Sequence, residues 1–217
     1  MAPGSLSDLR WPDFSDYRTR VQEFYEPIGY SLAWFRDGMM TDQARAVIET
    51  LKEGANKGLN AEDYDGSRWA DRLARLHHSG NPLSNVNLAR LDLALTVSVM
   101  RYISDVHLGR VNPGLFHASF DLENEKDNLP GFIRRRLIDA TDVKAVLDGI
   151  EPPYKGYWRT EEALQRYIIM AREDNGGLLP VPEKAVEPGG SYTAIAQLAG
   201  ALRRLRATGY GTSLRMR

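Results

Sequence analysis

The fold is decided by the stretch Met100-Arg-Tyr-Ile-Ser-Asp-Val-His-Leu-Gly-Arg-Val-Asn-Pro-Gly-Leu-Phe116, where a long apolar helix ends and a new turn begins. Gly109 can take the left-handed conformation that commonly ends a helix. Asn112 can cap a following helix, and Pro113 is favoured at a first helical position. We therefore expect a helix to stop at Gly109 and the chain to turn at Asn112-Pro113.

Upstream of this stop lies the longest candidate helix, residues 85–108. Its apolar residues are Leu88, Leu91, Leu93, Leu95, Val97, Val99 and Ile103. They lie on more than one side, which indicates a central helix surrounded by others. They also alternate with period two, as in a strand, but about twenty residues without a turn signal favour a helix. We expect Leu95, Val99 and Ile103 to be buried.

Apolar residues at helical spacing predict further helices on both sides of the central one. These are a helix carrying Phe14, Tyr17, Val21, Phe24 and Tyr25, a helix capped by Thr41 and carrying Ala44, Val47, Ile48 and Leu51, and helices at 131–138, 141–147 and 157–173. In the last of them Leu164, Tyr167, Ile168 and Ala171 should face inward. Residues 30–35 form a short extended piece. The pattern predicts an all-α fold, a multi-helix orthogonal bundle around a long central helix with short extended segments.

The composition changes after Asn175. Residues 176–182 alternate prolines with bulky residues and should be extended, and Glu187-Pro-Gly-Gly190 should form a turn. A last amphipathic helix is predicted from Tyr192 to Gly209. We accordingly divide the chain into a helical domain at 13–175, an extended linker at 176–191, and the first helix of an incomplete module at 192–217 that resembles a peptidoglycan-binding module. The chain would then be a fragment.

The charge balance offers no field that would attract nucleic acid or an anionic membrane, since the formal net charge is −1 and the sequence pI about 6.4. We therefore expect no nucleic-acid partner. No run of about 18 apolar residues is present, so we expect no membrane insertion. The first residues lack the basic and then apolar segments of a secretory signal. We therefore expect either a cytoplasmic protein or a mature or trimmed chain.

Most catalytic and metal chemistry is not expected from these residues. The chain has no cysteine, which excludes disulfides, thiolate catalysis and cysteine-ligated metal sites. The four histidines, His77, His78, His107 and His117, lack the spacing of a zinc hydrolase helix. The acidic segment Asp121–Asp127 lacks the glycine and the final carboxylate of a calcium loop. We expect no catalytic residue, no metal and no cofactor.

Two carboxylates, Asp92 and Asp105, lie on the central helix, in or near the predicted core. Thirteen residues of helix separate them by about 20 Å, which is too far for one glycan-hydrolysing site. Each is expected to cap backbone groups or to pair, Asp105 with Arg110 and Asp92 with an arginine of a neighbouring helix.

The aromatic residues allow a sugar-binding or peptide-binding groove, because flat rings stack on the apolar faces of sugars. The candidate groove residues are Tyr30, Trp34, Trp69, Tyr154, Tyr157 and Trp158, with Tyr25 and Phe35 beside them. The alternative is that these rings fill the core, where one aromatic side chain buries about 150 to 250 Å².

Four pieces of sequence between about Val21 and Gly190 occur in a fixed order. They are Phe24-Tyr-Glu-Pro-Ile-Gly-Tyr30 followed by Trp34, Ala55-Asn-Lys-Gly-Leu-Asn-Ala-Glu-Asp-Tyr64, the pattern Arg-Tyr-x-x-Asp-x-x-x-Gly-Arg-Val-x-Pro at 101–113, and Leu179-Pro-Val-Pro182 with Glu187-Pro-Gly189. Together they resemble the non-catalytic helical scaffold domain of large bacterial L,D-transpeptidases, which cross-link peptidoglycan through a cysteine. The chain departs from that family at Pro153-Tyr154, where a histidine before a proline is expected.

The resemblance implies a structural or substrate-positioning role in the periplasm or cell envelope. In that family a separate domain carries a Ser-His-Gly-Cys motif whose thiolate attacks a stem-peptide carbonyl. No residue of this chain matches the motif. The expected partner is therefore the catalytic domain of the same or a related transpeptidase, with peptidoglycan a second candidate. Two alternatives stay open: a cell-envelope hydrolase that uses carboxylates, and a cytoplasmic helical adaptor.

Overall fold

The computed structural model describes residues 4–78, 85–110, 129–173, 177–182 and 184–205. These residues are mostly helical, which confirms the predicted all-α class. No helix among them is long and apolar enough to cross a membrane. The expected turn at Asn112-Pro113, His117 and the acidic segment Asp121–Asp127 lie outside the described residues, as do the side chains of His77 and His78.

Helix α1 spans Arg18–Tyr25, flanked by 3-10 turns at Ser15–Tyr17 and Glu26–Ile28. Phe14, Tyr17, Val21 and Phe24 are buried along one side, as their spacing predicts. Gly29 follows with a φ of 61°, a left-handed conformation that glycine adopts without strain. The predicted first helix is thus confirmed.

A two-stranded hairpin follows, with β1 at Phe35–Arg36 and β2 at Met39–Met40. Its strands are antiparallel, and Phe35 lies opposite Met40. Asp37 and Gly38 form the turn with φ values of 52° and 76°. Two positive φ values in a two-residue loop favour an Asp-Gly pair. The sequence carried that signal, although only an extended piece was predicted.

Helix α2, Asp42–Lys52, begins where predicted, because the Thr41 hydroxyl accepts a hydrogen bond of 3.1 Å from the backbone N–H of Ala44. Its buried face is Ala44, Val47, Ile48 and Leu51. Two 3-10 helices, Gly54–Lys57 and Ala61–Tyr64, lead into α3, Arg68–His78.

Helix α4, Asn85–His107, is the central helix. Leu95 and Val99 are 0% exposed and Ile103 is 6% exposed, as predicted. The backbone N–H of Gly109 bonds to the carbonyl of Asp105 at 3.1 Å, and Gly109 has a φ of 83°. The helix therefore ends at the predicted glycine.

Two short helices complete the first part of the fold. Helix α5, Leu129–Phe132, continues into a π-helical turn at Ile133–Leu137, and helix α6 spans Val143–Asp148. The α6 cap is Asp142, whose carboxylate accepts from the N–H of Ala145 at 2.9 Å. Both helices were predicted within two residues.

Helices α7, Lys155–Glu173, and α8, Ile195–Leu205, are the last two in the described residues. The chain divides into two compact units between Glu161 and Glu162, inside α7. The predicted boundaries at 175 and 191 stay predictions. In the second unit, Tyr192 donates to the carbonyl of Pro180 at 2.7 Å, and Gln197 to that of Gly177 at 2.7 Å.

The predicted inward face of α7 is wrong for two of its four residues, since Tyr167 is 45% exposed and Ala171 is exposed, while Leu164 and Ile168 are half-buried. The physical reason is that the described elements of the second unit do not enclose a core, so none of its described residues is buried.

The helix predicted from Tyr192 begins three residues later, at Ile195.

Replacing Leu95 with alanine should lower the free energy of unfolding by about 2 to 5 kcal/mol, the range for a large-to-small change in a packed core. The matched control is Val86→Ala on the same helix, where the side chain is 63% exposed. That change should cost less than about 0.5 kcal/mol. Urea unfolding measures both. Equal effects of the two changes would contradict a central position for α4.

A chain ending at Pro188 should remain folded and unfold cooperatively, because no described residue beyond it is buried. The contrasting control removes residues 1–17, which include the buried Leu9, Phe14 and Tyr17, and should lower Tm. Circular dichroism and thermal unfolding report both results. Loss of the helical signal or precipitation of the chain ending at Pro188 would place residues 189–217 in the core.

Candidate functional site: a polar cleft at the end of the central helix

A cleft of about 370 Å³ lies beside the C-terminal end of α4, and we call it the polar cleft. Its lining residues are Trp11, Asp13, Asp16, Tyr17, Asp63, Tyr64, Arg101, Asp105 and Arg110. Helical spacing brings Arg101 and Asp105 to one face of α4. The 3-10 helix Ala61–Tyr64 contributes Asp63 and Tyr64. Two of the quoted sequence pieces therefore meet in this cleft.

Asp105 is held by partners from both pieces. The hydroxyl of Tyr64 donates to Oδ2 of Asp105 at 2.6 Å, and Nε of Arg110 lies 3.7 Å from the same oxygen. Arg110 also pairs with Asp63 at 2.6 Å. The expected pairing of Asp105 with Arg110 is confirmed. Burial raises the pKa of Asp105, and the hydrogen bond from Tyr64 only partly offsets this.

The segment before α1 is fixed to the cleft by Arg101. Its guanidinium donates to the carbonyls of Trp11 at 3.1 Å and Asp13 at 2.6 Å. The indole N–H of Trp11 donates to Asp63 at 3.2 Å. Trp11 is 52% exposed, so about half of this residue's surface remains open to solvent. The cleft thus has charged walls and an exposed aromatic rim.

A second polar network surrounds Asp92, which is 1% exposed in the middle of the core. Its Oδ1 accepts from the Tyr25 hydroxyl at 2.6 Å and from the N–H of Ala33 at 3.1 Å, and its Oδ2 accepts from the N–H of Trp34 at 2.7 Å. The expected arginine partner for Asp92 is therefore wrong, because a hydroxyl and two backbone N–H groups bind the carboxylate. Burial raises its pKa despite these three donors.

Thr96, one turn after Asp92, completes this network. Its hydroxyl accepts from the Trp34 indole N–H at 2.9 Å and lies 2.7 Å from the Tyr25 hydroxyl. Both aromatic residues belong to the first of the four quoted pieces. Their positions are thus set by one face of α4.

A third cluster was not predicted from the sequence. Lys57 donates to Glu161 at 2.6 Å, contacts Glu151, and lies 3.7 Å from Asp148. Burial of Lys57 opposes its charge, but the bonds to Glu151 and Glu161 raise its pKa. Burial also raises the pKa of Glu151. Because Lys57 and Glu161 are 104 residues apart, no local pattern could have signalled this cluster.

Two of the six candidate groove residues are buried, and the other four are exposed or half-buried. Trp34 is 0% exposed and Trp69 1% exposed, and both rings pack in the core, which corrects the expectation for these two. Tyr30, Tyr154 and Trp158 are exposed, and Tyr157 packs edge-on against Trp158 with ring centroids 5.6 Å apart. For these four the groove stays a prediction.

The described residues contain no group of three or more acidic or histidine side chains that could hold a metal ion. His107 instead places Nδ1 2.8 Å from the carbonyl of Ile150, a contact between α4 and the loop after α6. The polar groups around Asp92, Asp105 and Lys57 likewise make structural contacts between distant segments.

Replacing Tyr64 with phenylalanine should lower the free energy of unfolding by about 1 to 3 kcal/mol, because Asp105 loses the hydrogen bond from the Tyr64 hydroxyl in a partly buried position. Tyr154→Phe is the control, since that side chain is 66% exposed, and it should change stability by less than about 0.5 kcal/mol. Chemical denaturation measures both variants. A Tyr64→Phe protein as stable as the control would show that the bond to Asp105 contributes nothing.

Asp92 should make stability depend on pH. The folded-state pKa of Asp92 lies above the unfolded-state value of about 3.9. Its contribution to the free energy of unfolding is therefore complete below the unfolded-state pKa and is lost as the pH rises through the folded-state pKa. The asparagine side chain of the Asp92→Asn variant does not titrate. The free energy of unfolding of this variant, relative to the unsubstituted protein, should therefore increase as the pH rises from about 3 across this window. Urea unfolding at several pH values tests this, and a falling difference would contradict the raised pKa.

Comparison with known families adds one match. The family model described as "Scaffold domain" matches residues 19–164. No curated protein and no solved structure matches the chain. The matched region contains the Asp92 network, the Lys57 cluster and the α4 side of the polar cleft. Since this region covers more than half of the 217 residues, the chain belongs to the scaffold domain family.

Proposed function

We propose that this chain is the scaffold domain of an L,D-transpeptidase system and acts in peptidoglycan cross-linking in the bacterial cell envelope. It would hold and position a catalytic domain or its substrate without performing chemistry itself. The membership of the scaffold domain family and the order of the four quoted sequence pieces support this proposal.

The main support for the proposal is that polar residues of those four pieces bind other segments of the same chain. Tyr64 and Asp105 bind one another, as do Asp63 and Arg110, across the ends of two helical segments. Asp92 accepts hydrogen bonds from Tyr25 and Trp34 of the first piece and from Ala33, which lies between them in the sequence. A catalytic carboxylate must reach a substrate proton or carbon, whereas both oxygens of Asp92 and Oδ2 of Asp105 bind structural donors instead. This favours a scaffold over a carboxylate-dependent hydrolase.

The reaction itself would need a second component. Transfer of a stem-peptide acyl group through a thioester requires a thiolate, and the chain contains no cysteine. The proposed partner is therefore a domain with a catalytic cysteine, in the same polypeptide or in another. The polar cleft suits such a contact, since exposed aromatic and arginine side chains are the common anchors of protein interfaces, and Trp11 and Arg110 lie at its rim.

The test uses purified protein and muropeptides that carry tetrapeptide stems, with and without a cysteine L,D-transpeptidase catalytic domain. The chain alone should give no cross-linked dimers. With the catalytic domain it should co-elute in size-exclusion chromatography and raise the yield of dimers. Dimers formed by the chain alone would refute the non-catalytic role, and no effect on the partner would refute the transpeptidase context.

The contact surface is tested separately with the Trp11→Ala variant. This change should weaken binding to the catalytic domain about tenfold or more, because it removes an interface anchor. The matched control is Tyr154→Ala, a similarly exposed aromatic residue outside the cleft. Circular dichroism verifies that both variants are folded. Equal weakening by the two variants would contradict the polar cleft as the contact surface.

A further inference from the structure

A separate cavity of about 280 Å³ opens beside α1, and we call it the Tyr30 pocket. Its apolar walls include Phe14, Val21, Tyr25, Leu32 and Leu93. Small-molecule pockets begin at about 300 Å³, are mostly apolar, and carry a few polar groups that orient the ligand. The size of the Tyr30 pocket therefore suits one aromatic ring or a short hydrocarbon chain.

Two helix faces form the walls of the pocket. Arg18, Val21, Gln22 and Tyr25 follow one another at helical spacing along α1, so they share a face. Leu93 comes from α4, and the chain from Tyr30 to Leu32 closes one side. Both helices also pack into the core of the first unit, so the walls are fixed.

Tyr30 has a φ of 58°, a left-handed conformation that is rare for a residue with a large side chain. Its backbone N–H bonds to the carbonyl of Tyr25 at 3.0 Å, which holds the turn in this conformation. The ring is 52% exposed and lines the pocket. Backbone strain of this kind is often found at residues that contact ligands.

The polar side chains at the rim are Arg18, Gln22 and Tyr30, and all three are exposed. None of these side chains binds another side chain or a backbone carbonyl in the described part of the chain. Asp92 also lines the pocket, but its carboxylate is already bound by three donors. The groups that can bind a ligand are thus a cation and two side chains that donate hydrogen bonds, above an apolar floor.

We propose that the Tyr30 pocket binds a small amphipathic carboxylate. Its apolar body would pack against Val21, Leu32 and Leu93. Its carboxylate would accept paired hydrogen bonds from the Arg18 guanidinium, whose fork geometry matches a carboxylate, with Tyr30 and Gln22 as further donors. The inference does not depend on the proposed function, because it rests on the shape of this pocket and on the Arg18, Gln22 and Tyr30 side chains that line it.

Two sources offer this chemistry, namely a free aromatic or aliphatic acid and the C-terminal carboxylate of a short peptide. The experiment titrates the full chain with 3-phenylpropionate and, in a second arm, with N-acetyl-alanyl-alanine. Isothermal titration calorimetry gives Kd, and backbone NMR shifts identify the site. The reference compound is 3-phenylpropan-1-ol, which has the same ring but no carboxylate.

Saturable binding of 3-phenylpropionate, with shifts at Val21 and Leu93, is the expected result. The alcohol should bind at least about tenfold more weakly, since it loses the charge-assisted bonds. Tighter binding of the peptide than of the acid would identify a peptide terminus as the source, and the reverse order would identify a free acid. Either order supports the proposal.

Arg18→Gln should weaken binding of 3-phenylpropionate by about tenfold or more. Arg68→Gln, an exposed arginine that does not line the pocket, is the control and should leave Kd unchanged. Ala89→Trp, which fills the pocket from an exposed position on α4, should abolish binding while helical circular dichroism is retained. No saturable binding below about 10 mM, equal binding of acid and alcohol, or an unaffected Arg18→Gln variant would each overturn the proposal.

Discussion

The first unit depends on the three hydrogen bonds that the buried carboxylate of Asp92 accepts. Burying a charge without partners costs several kcal/mol, so α4 can be central only if other segments bring donors to this residue. Tyr25 supplies one donor from α1, and the N–H groups of Ala33 and Trp34 supply two from the following loop. Apolar burial drives the collapse, but this carboxylate decides where α1 and the loop must lie along α4.

The same arrangement recurs at two other places in the first unit. Asp105 binds Tyr64, 41 residues away in the sequence, and Lys57 binds Glu161, 104 residues away. Apolar side chains tolerate small displacements along a helix, whereas a hydrogen bond to a buried charge has a defined partner and geometry. The Asp92 and Asp105 networks therefore set the positions of α1 and of the 3-10 helix Ala61–Tyr64 relative to the central helix, and the Lys57 cluster joins the 3-10 helix Gly54–Lys57 to the start of α7.

Sequence predicted the local elements well because their signals are local. The Thr41 cap, the stripe on α2 and the helix end at Gly109 each depend on residues within a few positions, and the structure places them as expected. The hairpin at Asp37-Gly38 also had a local signal, which was not used. The sequence carried no local signal for which aromatic rings are buried, because a ring can pack in a core or line a groove, and Trp34 and Trp69 pack in the core. The partners of Lys57 could not be read either, since they are distant in sequence.

The residues that carry the family resemblance did not point to a reaction, because the sequence alone does not show what their polar groups bind. Sequence patterns can arise from chemistry or from the polar contacts that join segments, and both place charged residues in fixed order. The structure distinguishes these two origins, because it shows whether a polar atom already has a hydrogen-bond partner within the fold. Both oxygens of Asp92 and one oxygen of Asp105 accept hydrogen bonds from the fold, which is how a rigid scaffold uses such groups. Arg18 and Tyr30 differ from these two, because they line an open cavity and their side chains bind no other group in the described part of the chain. A ligand is therefore expected where the fold itself has left the hydrogen bonds to be made.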